Sequence, residues 1–385
     1  MPGYQTLNLL VVGPYGETTS GPSRVITEVV HGLSSDIHVV VVSPKKRRDV
    51  DRRGFVDGNV EVVYQACGQV PGVPGSHNLV EILRLASRLR RLEYKPNLVW
   101  VHSEAAFWAY WLSKFRRTPC VATIHGVFGD FYQRETMLKL RASPSHLFSS
   151  LMRWLQKTEF RKASVLTTYS DYLGQLILAI SPRSRVVIIP NGVNTTRFQP
   201  LNEPREKIIL YVGRMAAIKG VHVLVESMKK VARRFPEWRL WLVGGALDQP
   251  ISFFERFMDS STRQRIEFLG AISNAELPGL LSRASIFVMP TLRDGFEIAL
   301  MEAMASGIPC ITTAAYERKE LYGGYAESVP PNNPDALAET LMRIIQDYGS
   351  YDSSSARKTR IDRARQFDWS RIAHKYENLF RGMAR

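Results

Sequence analysis

Cysteine is scarce in this chain. Cys67, Cys120 and Cys310 are the only three among 385 residues. The count is odd and no two stand close together, so a disulfide framework is excluded, and free thiols in a reducing cytosol are expected. No Cys/His spacing of the zinc type occurs. Long apolar runs are missing as well. No window reaches the roughly eighteen uninterrupted apolar residues of a membrane span. The opening Met1–Asn8 lacks a basic region, and the apolar run Leu9–Val12 behind it is too short for a signal segment. A cytoplasmic protein without a span is therefore expected. Negative charge is the third shortage: 36 Asp and Glu stand against 51 Lys and Arg, a net charge of +15. Residues 1–187 hold 24 basic and 14 acidic side chains and so carry +10 of that total. Such an excess calls for an anionic partner: nucleotide phosphates, a lipid headgroup surface or nucleic acid. Nucleic acid has the least support, because no basic stretch is interleaved with stacking aromatics in a recognisable module.

What is present is a globular composition, 45% hydrophobic and 23% charged, on a chain long enough for two domains. Strand-like runs alternate with helix-like runs from end to end, which predicts an α/β protein with mostly parallel sheets. Leu7–Val12, Ile37–Ser43, Val60–Tyr64, Leu98–His102, Cys120–His125 and Val165–Thr168 are the strands of a first Rossmann-like half. A second half starts with Val186–Pro190 and continues through Ile208–Val212, Leu240–Val243, Ile266–Leu269, Ile286–Met289 and Cys310–Thr312. Pro190, Asn191-Gly192, Pro200 and Pro204 cluster at the join. The expected domains are residues 1–187 and 188–368, followed by an amphipathic tail helix at 369–385.

One stretch concentrates chemistry. Asp294-Gly-Phe-Glu-Ile-Ala-Leu-Met-Glu302 sets two carboxylates eight residues apart, one in a Gly-containing turn and one inside a helix. The strand Ile286–Met289 feeds that turn. A turn at the carboxyl end of a strand, opening a helix, is where open α/β sheets bind ligands. The helix start offers N–H groups and a positive dipole end to a phosphate. A carboxylate further along accepts hydrogen bonds from sugar hydroxyls. Glu302 stands among Ala299, Leu300, Ala303, Met304 and Ala305, surroundings in which a carboxylate needs a partner. Upstream, Gly213-Arg214 and Lys219-Gly220 place two cations on a strand-to-helix loop. The pair Asp49 and Asp51 has metal-site spacing, but it lies amid Lys45-Lys-Arg-Arg48 and Arg52-Arg53 and is read as local salt pairing.

With these residues in view, the chain resembles glycosyltransferase family 4, the retaining nucleotide-sugar enzymes of GT-B fold. Four marks carry the likeness along almost the whole length. They are the carboxylate pair with Ala303-Met-Ala305; Gly213-Arg214 with Lys219-Gly220; Pro190-Asn-Gly-Val-Asn194 with Phe198; and Ile124-His125-Gly126 after a strand.

The resemblance implies two Rossmann-like domains facing a cleft, the first serving the acceptor and the second a nucleoside diphosphate sugar, with the tail helix returning to the first. It implies transfer of a hexosyl group to a glycan, lipid-linked or small-molecule acceptor. It assigns His125, Arg214, Lys219 and Asp294 to catalysis. Donor binding falls to Gly16, Gly21, Asn191, Gly213, Glu297, Ile298, Ala299 and Glu302. It implies no metal: Arg214 and Lys219 meet the charge that builds on the leaving diphosphate. Glu302 would take the ribose hydroxyls, and Asp294 and His125 hydroxyls of the transferred sugar.

Three departures stand out. Asp294 replaces the usual Glu. Glu297 replaces the usual Gly and puts a negative charge beside the expected diphosphate. Gly13, Gly16 and Gly21-Pro22 stand where paired glycines are usual. Two other readings remain open on these residues: a GT-B binding subunit without catalysis, and a synthase or phosphorylase of the same fold with a soluble phosphate-bearing acceptor.

A last feature concerns placement. Arg134–Lys162 holds seven Lys and Arg against two Glu. Within it Leu147, Leu151, Trp154 and Leu155 share one helical face, with Arg153 and Lys157 beside them. The segment is either a core helix with a solvated basic flank or a helix lying on an anionic membrane surface. The second would make the protein peripheral on the inner face of the membrane.

Overall fold

The computed structural model describes residues 6–16, 21–46, 53–67, 76–127, 146–201, 204–245, 249–292, 295–314 and 316–384. Asp49, Asp51 and Asp294 lie outside them. The chain divides into two compact units, Met1–Pro190 with Trp369–Arg385, and Asn191–Asp368.

The first unit is built on β1 (Asn8–Val12), β2 (His38–Lys46), β3 (Arg53–Asp57), β4 (Val60–Cys67), β5 (Leu98–His102), β6 (Cys120–Thr123), β7 (Val165–Thr168) and β8 (Val186–Ile188). They form one sheet in the order β3-β4-β2-β1-β5-β6-β7-β8. All neighbours are parallel except the edge strand β3, which runs antiparallel to β4. Strands β5, β6 and β7 are buried at every position, as expected where helices cover both faces. The helix Gly21–His31 supplies one such cover and buries Val25, Ile26, Val29 and Val30, a single stripe.

The tail helix Trp369–Met383 supplies another, with Tyr376 and Phe380 against the Trp100 ring at 4.9 and 5.3 Å between centroids. Its Glu377 accepts from the Ser34 N–H at 3.0 Å, and its Arg381 pairs with Asp36 at 2.8 Å.

The second unit has β9 (Ile208–Val212), β10 (Arg239–Val243), β11 (Ile266–Gly270), β12 (Ile286–Met289), β13 (Cys310–Thr313) and β14 (Glu327–Val329). Their order is β11-β10-β9-β12-β13-β14, parallel throughout. In both sheets the order reverses once, between β1 and β5 and between β9 and β12. At such a reversal the loops leaving the strands' carboxyl ends diverge to opposite faces and open a crevice for ligands.

The expectation that Val186–Pro190 opens the second half is corrected. Val186–Ile188 is the last strand of the first sheet, parallel to β7. The helix Asp171–Ile180 carries the crossover, and its Gly174 lets Ile188 approach to 2.9 Å of where a Cβ would stand. Pro190, which has no N–H to give a ladder, follows the strand. Cys120 and Cys310 are buried free thiols, and burial pushes Cys310 up to about 12.

Candidate functional site

In the second unit most of the candidate side chains lie on the loops that leave the β9/β12 reversal. After β9 the chain turns at Gly213, whose N–H donates to the Val243 carbonyl at 2.9 Å. Arg214 follows and is exposed, and the Tyr211 hydroxyl donates to its carbonyl at 2.8 Å. A 3-10 turn, Ala217–Lys219, then leads to Gly220 and the helix Val221–Arg234. Gly220 has φ 69°, and a Cβ there would fall 2.0 Å from the Pro290 carbonyl oxygen. Only glycine fits, so the Lys219 turn lies directly on the end of β12. The Leu292 N–H donates to the Ile218 carbonyl at 2.9 Å and ties the two loops together. The Arg214/Lys219 loop is thus tied to the chain that leaves β12 at Leu292.

That helix opens at Ile298 and Ala299, both partly exposed, whose N–H groups precede the first intrahelical bond. Glu302 sits one turn on from Ile298, on the same face, and is buried. Glu297 is the N-cap residue, yet its side chain makes no cap bond to the helix. Its carboxylate turns inward to Arg318, with Oε2 3.6 Å from Nε. The carboxylate is thus buried against Arg318 and is not turned to the space before the helix start, where the resemblance put a donor contact for Glu297.

Asn191 is buried at the start of the unit, near Val193, whose N–H donates to Phe367 at 2.8 Å. Asn191 thus lies at the start of the unit, whereas Gly213, Arg214, Lys219, Ile298, Ala299 and Glu302 lie on the loop and helix that follow β9 and β12.

In the first unit Gly16 and Gly21 follow β1 at the β1/β5 reversal, and His125, after β6, meets it through His102 at the end of β5. Gly16 has φ 98°, and its N–H donates to Thr27 Oγ1 at 3.1 Å. Gly21 starts the helix Gly21–His31, with open space where a Cβ would be. His125 is half-buried, and its Nε2 lies 3.1 Å from Nδ1 of His102. His102 is fully buried; desolvation, and after it the neighbouring His125, hold its pKa well below the usual histidine value. Burial thus favours its neutral ring, which stands within hydrogen-bond reach of His125. A Cβ on Gly13 would stand 3.0 Å from the His102 Cβ, so the first glycine of the loop also rests on this pair.

Three residues stand outside the sequence motifs. His102 is, in the sequence, only the end of a strand. Arg318 stands in no motif. Gly244, after β10, approaches Gly213 so closely that a Cβ would lie 1.8 Å from its carbonyl oxygen; a Gly-Gly pair after an apolar strand was the available signal. A cavity of about 800 Å³ lies elsewhere in the second unit, lined by Ala314, Lys319, Tyr325, Tyr351 and Arg360. Its lining includes none of the candidate residues, so the strand reversal is the better guide.

Comparison with known proteins bears on the family and the fold. Residues 19–197 match Glycosyltransferase Family 4, and residues 206–347 match Glycosyl transferases group 1. The mannosylfructose-phosphate synthase of Agrobacterium fabrum is 25% identical over 403 residues, covering 96% of this chain and 88% of that protein. Among solved structures, the sucrose-phosphate synthase of Thermosynechococcus elongatus superposes with a TM-score of 0.80 at 21% identity over 98% of each chain. HepE of Anabaena, solved with UDP and glucose, gives 0.71 at 18% identity over 96% of this chain and 98% of that one. With two mostly parallel α/β sheets, each reversed once, and family matches over both units, the chain belongs to the family 4 glycosyltransferases of GT-B fold.

Proposed function

We propose that the protein transfers a hexosyl group, with retention, from a nucleoside diphosphate sugar. The observation that carries this reading is the Leu292–Ile218 bond, at 2.9 Å, which joins the Arg214/Lys219 loop to the loop feeding the Ile298–Ala305 helix. Two cations and a helix start then serve one ligand. Arg214 grips the diphosphate, Lys219 acts as a point charge, and the Ile298 and Ala299 N–H groups complete the cradle. Glu302, one turn deeper, accepts from the ribose hydroxyls. HepE's binding of UDP supports a nucleoside diphosphate as the shared chemistry.

In this reading the acceptor oxygen bonds to the anomeric carbon as the bond to the phosphate oxygen breaks on the same face. The acceptor proton passes to the leaving phosphate. The protein's share is orientation and charge stabilisation by Arg214 and Lys219, without a metal. Asp294 and His125 position the transferred sugar, His125 being set by its bond to His102. A thermal-shift panel of nucleoside diphosphate sugars tests the reading. At 100-fold over its dissociation constant the donor adds about 2.7 kcal/mol, and a panel with no shift would remove the donor site.

The acceptor side includes an anionic membrane surface, and a specific inversion favours it. In the helix His146–Lys162 the buried face carries Gln156, Glu159 and Phe160, while Leu151 is 51% and Trp154 58% exposed. Trp154 stacks on Trp108 at 6.1 Å, and Arg153 and Lys157 are exposed beside it. An apolar stripe turned outward between cations suits a headgroup boundary, at about 1 kcal/mol per well-placed cation. Gln156 ties this helix to the His125-Gly126 turn by donating to the Gly126 carbonyl at 3.2 Å. A lipid-linked acceptor is consistent with that link.

A further inference from the structure

We infer that Arg318 is a positioning residue of the donor site: it holds the Glu297 carboxylate away from the helix start and cancels its charge, so that a diphosphate can bind there. The inference rests on the donor reading above and adds a residue to it. It begins from a conflict in the sequence. An N-cap carboxylate beside an anion site has two ordinary fates, and both are harmful. Turned toward the helix, it occupies the N–H groups that a phosphate needs. Turned toward the ligand, it repels it.

The structure shows a third arrangement. The Glu297 side chain is 1% exposed and the Arg318 side chain 0%, with Nε 3.6 Å from Oε2. The Thr312 hydroxyl reaches the same oxygen at 3.5 Å. Arg318 is anchored at its far end, where Nη1 donates to the Thr291 carbonyl at 3.0 Å and to the Thr313 hydroxyl. Its helix, Tyr316–Tyr322, also fixes the Glu297 backbone, because the Glu297 N–H donates to the Tyr322 hydroxyl at 2.9 Å. One short helix therefore holds both the side chain and the main chain of the residue that opens the Ile298–Ala305 helix. Removing one partner of a buried pair shifts the charge of its surroundings by one unit in a medium of low dielectric, a change felt by any anion nearby. Removing both restores neutrality.

The test is calorimetry with whichever of UDP, GDP and ADP binds wild type most tightly, alongside ligand-observed NMR with its nucleoside. Arg318→Met is expected to weaken the diphosphate at least tenfold while the nucleoside changes less than threefold. Adding Glu297→Gln to Arg318→Met is expected to bring diphosphate affinity back within threefold of wild type. Glu297→Gln alone is expected to bind the diphosphate within threefold of wild type or more tightly. Equal losses in Arg318→Met and the double variant would overturn the inference, as would a parallel loss of the nucleoside. Should Arg318→Met fail to fold, Glu297→Gln decides by itself: a tenfold loss there would mean that the carboxylate touches the ligand. Wild type that binds none of the three diphosphates would overturn the donor reading and this inference with it.

Discussion

Gly220 and Pro290 touch across the strand reversal of the second unit: a Cβ on Gly220 would stand 2.0 Å from the Pro290 carbonyl oxygen. The contact seats the Lys219 turn on the end of β12. Gly220 also has φ 69°, in the left-handed region. Gly220→Ala therefore meets both backbone strain and a clash with main-chain atoms that no rotamer relieves. The expected loss is about 2 kcal/mol or more. Urea unfolding followed by tryptophan fluorescence would show it, and an unchanged midpoint would contradict the contact.

Glu302→Gln keeps the shape of a buried side chain and removes its charge. The expected cost is 10- to 100-fold in nucleoside diphosphate affinity, the scale of hydrogen bonds to a charged group. Calorimetry with ribose and 2′,3′-dideoxyribose diphosphates checks the role. Wild type should lose affinity for the dideoxy ligand, and the variant should scarcely distinguish the two. Equal discrimination in both proteins would move the ribose contact elsewhere.

His102 gives a pH signature. Its folded pKa lies well below the usual value, so between that pKa and about 6.5 the unfolded chain binds a proton that the folded one does not. Stability is thus lost as pH falls below about 6.5, by up to about 1.4 kcal/mol per pH unit. Buried Glu159 is held well above the usual carboxylate value by desolvation and by Glu104, so its contribution runs the other way. The difference between wild type and His102→Gln isolates the histidine. Denaturant midpoints at pH 7.5 and 5.5 should fall further in wild type than in the variant. Parallel falls would contradict a neutral His102.

How much of this was legible in the sequence depends on whether neighbours are near along the chain. Leu98–His102 and Val165–Thr168 are strands with the bounds that their apolar runs suggested. The helix Ser354–Arg365 gave no signal, because its apolar residues make no stripe; it packs through buried Arg360, which donates to the Gly307 carbonyl at 2.9 Å. Ser353 is its N-cap, accepting from the Ala356 N–H. His102 and His125 meet because β5 and β6 pair His102 with Thr123, a register no single-strand pattern states. Arg318 reaches Glu297 only through the crossover from β13. For Leu151 and Trp154, helical spacing shows that they share a face but not that the face points outward.

The outward face predicts membrane behaviour. Cosedimentation with liposomes of graded anionic lipid content should show binding that rises with anionic lipid and falls with salt. Leu151→Ser with Trp154→Ser should reduce it several-fold, since both side chains are exposed and their loss leaves the core intact. Binding that ignores anionic lipid, or none at low salt, would favour a soluble acceptor.

The central claim is that Arg214 and Lys219 stabilise a departing nucleoside diphosphate without a metal. The most direct measurement is release of nucleoside diphosphate from a donor panel, in excess EDTA, by wild type and by Arg214→Ala/Lys219→Ala. Arg214 is exposed and Lys219 partly so, so the variant should keep its fold, verified by its melting temperature. Wild type should turn over at least one donor in EDTA, and the variant should be about a hundredfold slower or worse, the scale of losing one transition-state donor. Equal turnover by the two proteins, or wild-type activity abolished by EDTA and restored by Mg²⁺ or Mn²⁺, would contradict the account.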